Sequence, residues 1–149
     1  MKPKLFIISS LLVFVFFMVA CGSQPATPST ETQGDPVEDF ASLVDSLQNP
    51  GATVETGDPI EQAFFTVKGQ IVKVNGADVQ VFEYENAEKL ESEASQVAPD
   101  GGSTGTTMVT WVATPHFFKA GRILVLYIGD DQVVLDLLKG ALGVQFAGR

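Results

Sequence analysis

The chain has 149 residues, nine lysines and arginines against eighteen aspartates and glutamates, one cysteine, one histidine and 45% apolar residues. That length suits one domain, and a net charge of −9 excludes nucleic acid as a partner, because phosphate binding needs basic groups that release counterions. A lone cysteine excludes an intrachain disulfide and a cysteine-based zinc cluster. In chain order, residues 5–20 come first, an apolar run broken only by Ser9 and Ser10 and preceded by Lys2 and Lys4. A basic start, an apolar stretch and a small closing residue are the parts of an export signal. The run is short of the roughly 20 apolar residues that span a bilayer.

The run closes on Met18-Val19-Ala20-Cys21. These four residues resemble the lipobox of bacterial lipoproteins: an aliphatic residue, a small residue, alanine or glycine, then cysteine. Met18 stands where leucine is usual. The resemblance implies cleavage between Ala20 and Cys21, a thioether from the Cys21 sulfur to diacylglycerol, and palmitate-type chains that hold the protein in the membrane. Two acyl chains anchor stably where one is marginal, at about 0.8 kcal/mol per buried methylene. The competing reading, an uncleaved signal anchor with an incidental thiol, is disfavoured because the single cysteine falls at the cut point.

Residues 22–36 carry no large apolar side chain and are rich in Pro, Ser, Thr and Gly, a composition that cannot offset the entropy of ordering. As a coil they would span on the order of 20 Å. Loss of residues 1–20 removes two lysines and no acids, so the mature charge becomes −11 and an anionic bilayer repels the domain. The expected division is a signal peptide at 1–20, a lipidated cysteine and tether at 21–36, and a single domain at 37–149. The expected location is the extracytoplasmic face of a bacterial membrane.

Asp35-Pro36 offers a helix cap followed by proline at the first helical position, with Phe40, Leu43, Val44 and Leu47 at helical spacing and Asn49-Pro50-Gly51 as the stop. Residues 53–55 predict a weak strand and 63–67 a better one. Residues 70–74 and 77–84 flank Asn75-Gly76, the strongest two-residue hairpin signal. That register sets Val74 against Ala77, Val72 against Val79 and Lys73 against Asp78. Asn86 caps a second helix with an apolar stripe of Ala87, Leu90, Ala94 and Val97, and with Glu88, Lys89, Glu91 and Glu93 at exposed positions. Residues 107–112 and 122–128 predict two strands joined by an eight- to nine-residue turn, the second apolar on both faces as in a covered central strand. Asp130 would cap a last helix carrying Val134, Leu138 and Leu142. The expected fold is α+β, an antiparallel sheet with helices packed on it, in the order α-β-β-β-β-α-β-β-α.

The segments 74–84, 110–117 and 122–127 are similar to those of a group of small uncharacterised bacterial lipoproteins. That resemblance covers most of the mature domain; it implies the anchor and supplies no activity.

Three constellations could carry chemistry. Gly101-Gly102-Ser103-Thr104-Gly105 matches the G-x-S-x-G nucleophile elbow, which would make Ser103 and His116 the core of a cell-envelope serine hydrolase. The context is reversed, with a helix before the motif and a strand after it, and no acid lies between Ser103 and His116. The second is an aromatic patch of Trp111, His116, Phe117 and Phe118 with Lys119 or Arg122, able to contact a ligand or protein partner. Its rival places the rings in the core and His116 in a turn. Third, the carboxylates Glu83, Glu85, Asp130 and Asp131 lack EF-hand spacing, and with one histidine and a cysteine destined for lipid no metal site is expected. No motif implies a cofactor. The functional expectation is a lipid-anchored binding or accessory module with a protein or small-molecule partner. A purely structural subunit of a membrane complex is the further alternative.

Overall fold

The computed structural model describes residues 36–149. In chain order the elements are α1 (Phe40–Gln48), β1 (Val54–Ile60), β2 (Gly69–Val74), β3 (Ala77–Glu83), α2 (Ala87–Ala94), β4 (Ser103–Thr104), β5 (Thr107–Met108), β6 (Pro115–Ala120), β7 (Ile123–Ile128), α3 (Gln132–Leu142) and β8 (Ala147–Gly148). Six strands form one antiparallel sheet in the order β1-β2-β3-β7-β6-β8, and β4 and β5 form a separate small hairpin. The fold is α+β, with helices packed on an antiparallel sheet.

Strand alternation divides the core into two clusters. Val72, Val74, Val79, Val81, Phe118, Ile123, Val125 and Tyr127 meet Leu43 and Leu47 of α1 and Val134, Leu135, Leu138 and Leu142 of α3. Phe82, Phe117, Leu124 and Leu126 meet Leu90 and Ala94 of α2, with Phe65 and Val97 from the adjoining loops. Helices α1 and α3 therefore cover one face and α2 the other. Strand β7 lies between β3 and β6, and Ile123 to Leu126 are fully buried. This is the physical reason its sequence is apolar without alternation.

The β2–β3 hairpin has the register its turn dictates, Val72 opposite Val79, Lys73 opposite Asp78 and Val74 opposite Ala77. Asn75 and Gly76 both take positive φ, 50° and 87°, as a two-residue turn matched to strand twist requires. On the solvated face Lys73 Nζ lies 2.6 Å from Asp78 Oδ1. The Asn75 side chain accepts from Thr53 N–H at 2.9 Å, which ties the turn to the start of β1.

Several boundaries differ from expectation. The cap of α1 is Asp39, whose carboxylate accepts from Ser42 N–H at 3.0 Å, while the Ser42 hydroxyl accepts from the Asp39 N–H. The Ser42 backbone bond holds the Asp39 carboxyl below its usual range, so this cap weakens as acid protonates it. Asp35 lies outside the described residues. The cap of α3 is Asp131, one residue beyond Asp130, with its side chain accepting from Val133 N–H at 2.9 Å. The weak strand at 53–55 extends to Ile60, whereas residues 63–67 form a loop that delivers Phe65 into the core. Only Thr107–Met108 of the strand expected at 107–112 is paired. The expected long turn contains β6, and its real tip is Gly121-Arg122. Propensity alone favoured a turn around Pro115, but a strand tolerates proline at its first position.

The β6–β7 turn also receives the start of the domain. Arg122 N–H donates to Glu38 O at 2.9 Å, and Gly121, at φ +51°, packs so closely on the Glu38 backbone that a Cβ would collide with it. Gly121→Ala is expected to cost about 2 kcal/mol or more from strain plus this clash, read as a lowered urea midpoint with unchanged m. The chain thus enters at one end of the β6–β7 hairpin, while Pro115 and Ile128 pair at the other.

Candidate functional site

Ala20 and Cys21 lie outside the described residues. Of the remaining residues singled out in the sequence, Trp111 is half-buried and its indole N–H donates to Gly101 O at 2.7 Å. Its ring meets Phe64 and Phe117 edge-on, each at 6.0 Å between centroids. Phe117 and Phe118 are fully buried and, as neighbours on one strand, belong to opposite faces of the sheet. His116 shares the Phe118 face by alternation and is also buried. It stacks on Tyr127 with centroids 6.1 Å apart and an interplanar angle of 22°. Arg122 sits at the far end of the hairpin, 2.7 Å from Glu83 and 3.6 Å from Asp39. The structure joins Trp111 to Phe117 but does not gather the five residues into one surface patch. The β structure that forms around Pro115 turns these rings inward.

The His116–Ser103 pairing also fails to assemble. His116 Nδ1 lies 2.7 Å from Gln145 Oε1; an amide oxygen only accepts, so this nitrogen donates. Its orienting partner is therefore an amide and not a carboxylate. The other ring nitrogen, Nε2, is buried without a hydrogen-bond partner among the described residues. Ser103 lies on β4, and its neighbours Val97, Gly101 and Trp111 pack on the α2 face, opposite His116. A two-residue hairpin strand also lacks the strand-to-helix turn that lifts a nucleophile above a sheet.

Two of the four carboxylates have structural partners. Glu83 pairs with Arg122, and Asp131 caps α3. Among the described residues no group of three His, Cys, Asp or Glu is placed to hold a metal ion. No helix among them is long and apolar enough to cross a membrane.

One cluster escaped the sequence reading. Glu93, expected at an exposed position, is buried on the inner face of α2. Its carboxylate accepts from the Tyr84 hydroxyl at 2.7 Å and from Thr66 N–H at 3.2 Å, and is also hydrogen-bonded by the Thr66 hydroxyl. These bonds pin the loop at 61–68 against α2. The signal was present, because Leu90, Glu93, Ala94 and Val97 are spaced as one helical stripe and the acid occupies its middle. Ala87, counted in that stripe, is exposed.

Among the open clefts of the described residues, two lie at opposite parts of the fold. One, about 820 Å³, lies between the end of α1 and the outer face of α3 and is lined by Asn49, Pro50, Val133, Leu137 and Ala141. The other, about 590 Å³, follows residues 109–115 and is rimmed by Asp100, Asp130 and Arg149. It stands at the Pro115 end of β6, opposite the chain entry at Glu38. Beside it Met108 and Val112 are 88% and 98% exposed. Exposed apolar groups, open backbone and mixed charge suit binding of a partner. No protein-family model, curated protein or solved structure matches this chain.

Proposed function

We propose that this chain is a lipid-anchored, extracytoplasmic binding or accessory module of the bacterial cell envelope. The observation that carries the reading is the single cysteine at the end of a 16-residue apolar run with lysines before it, in the sequence Met18-Val19-Ala20-Cys21. A tether of fifteen residues then separates that cysteine from the domain. The role of the anchor is to hold an acidic domain near a membrane whose anionic lipids repel it. Its task is to bind a partner protein or small molecule without a chemical step.

Cys21→Ser tests the anchor. In cells fed a palmitate analogue the wild-type chain takes up label and matures; the variant is expected to lose all label and accumulate as precursor. Unchanged labelling would refute the anchor. This experiment leaves the folded domain untouched, so its outcome is independent of how the domain binds.

A further inference from the structure

The protein has free strand edges that are protected unequally. At one side of the six-stranded sheet, β8 is covered because Gly148 N–H donates to Pro99 O at 3.0 Å. At the other side, β1 carries the features that discourage strand addition: Pro59 lacks a donor, the register slips between Thr56 and Pro59, and Glu55 and Asp58 are exposed acids. The edge formed by β5 and its continuation has none of them. On its inner side Met108 pairs with Ser103, and Val109 N–H donates to Gly102 O at 3.0 Å. On its outer side no strand of the described residues lies against it.

The composition of this segment makes the open edge informative. No residue from 101 to 114 is charged or a proline, and Thr107-Met108-Val109-Thr110-Trp111-Val112 is rich in β-branched and aromatic side chains. Sequence therefore favours a strand throughout, yet the backbone of residues 110–113 makes no backbone hydrogen bond among the described residues. Such groups must bond to water or to a ligand. The cleft beside them sets two carboxylates, Asp100 and Asp130, against one guanidinium, Arg149. Residues 36–149 carry seven lysines and arginines against sixteen aspartates and glutamates. This charge attracts a basic occupant and opposes a second copy of the chain.

The geometry points to strand addition: the outer edge of β5 and residues 109–111 dock an extended, basic peptide segment of a partner protein. Main-chain bonds to the edge supply affinity, and Met108 and Val112 offer apolar contacts to alternate side chains of the peptide. Asp100 and Asp130 receive its cationic side chains, and the bend at Val112-Ala113 ends the paired stretch. This assignment rests on the binding-module reading and names its surface and its class of partner.

The test uses the full-length protein in detergent and a synthetic octapeptide of alternating lysine and valine. Trp111 is the only tryptophan in the chain and reports the site directly. The expected result is saturable change in its fluorescence, with about tenfold or greater slowing of amide hydrogen exchange at Thr110, the residue after the inward-bonded Val109. Thr110→Pro, at an exposed position, is expected to weaken binding about tenfold or more with little change in thermal midpoint. The same peptide with alternate backbone nitrogens methylated should bind equally poorly. Absence of binding, equal binding of the methylated peptide, or equal binding of a glutamate-valine peptide would each overturn the assignment. So would concentration-dependent dimerisation that protects the Thr110 amide without peptide. Cys21→Ser protein should bind the peptide as the wild type does, which separates failure of this site from failure of the anchor.

Discussion

Phe117→Ala is expected to lower the unfolding free energy by about 3–5 kcal/mol. The ring has no exposed surface and lies on the α2 face of β6, where Trp111 meets it edge-on at 6.0 Å and Phe146 tilts against it at 6.1 Å. Alanine would forfeit the transfer free energy of the ring and leave a void that Leu124, Leu126 and Phe82 cannot fill without moving the central strands. Urea unfolding followed by circular dichroism measures the loss. Phe118→Ala should cost a similar amount through the other core cluster, because that ring is equally buried beneath α1 and α3. Met108→Ala, at a residue 88% exposed, should stay within about 0.5 kcal/mol. A loss below about 1 kcal/mol for Phe117→Ala would place the ring at a surface and restore the aromatic patch as a contact site.

Glu93→Ala should be the most damaging change to a charged residue among those described, lowering stability by about 2–4 kcal/mol. The carboxylate is the acceptor for the Tyr84 hydroxyl and for both the N–H and hydroxyl of Thr66. Its removal leaves the Tyr84 hydroxyl desolvated and unpaired, and each such group costs about 1–3 kcal/mol. It also frees the loop at 61–68, so hydrogen exchange there should accelerate more than in the sheet. Glu93→Gln keeps an acceptor oxygen and should lose roughly half as much. If Glu93→Ala is as harmless as Glu88→Ala at the exposed first turn, the buried network does not hold the loop.

The same cluster has a pH signature. Burial first, and then donation to Glu93, raises the Tyr84 phenol well above its usual range. The folded state therefore prefers the neutral phenol more strongly than the unfolded chain does. That contribution is fully present below about pH 10 and falls away as pH rises beyond the unfolded value. Tyr84→Phe removes the ionisable group and should flatten the alkaline limb of a stability–pH curve. Identical limbs for the two proteins would show that the phenol is not protected.

Much of the architecture is legible from local patterns. Asn75-Gly76 dictates one hairpin register because only a turn with two positive φ values matches the twist of its strands. Leu43 and Leu47, and Val134, Leu138 and Leu142, mark the inner faces of α1 and α3 by their spacing alone. The unbroken apolar run of β7 announces a strand covered on both faces. The segment at 63–67 misleads because Phe64 and Phe65 are equally at home in a strand or in a loop that drops a ring into the core. Pro115-His116-Phe117-Phe118 misleads in the opposite sense, since proline and histidine suggest a turn until pairing with β7 and β8 makes it a strand.

For function the division is sharper. By itself the sequence determines a linear feature, the position of the one cysteine after an apolar run with lysines before it, because such a pattern is the same whether or not the chain is folded. It also determines the acidity of the domain and the absence of cysteine pairs, which depend only on composition. Only the tertiary structure decides which side chains face each other. Strand alternation separates Phe117 from Phe118, the β6–β7 hairpin carries Arg122 away from Trp111, and packing of α2 on the sheet encloses Glu93 with Tyr84 and Thr66. A surface site is a statement about such non-local neighbours. The open edge beside Trp111 becomes visible only once every other strand has found its partner.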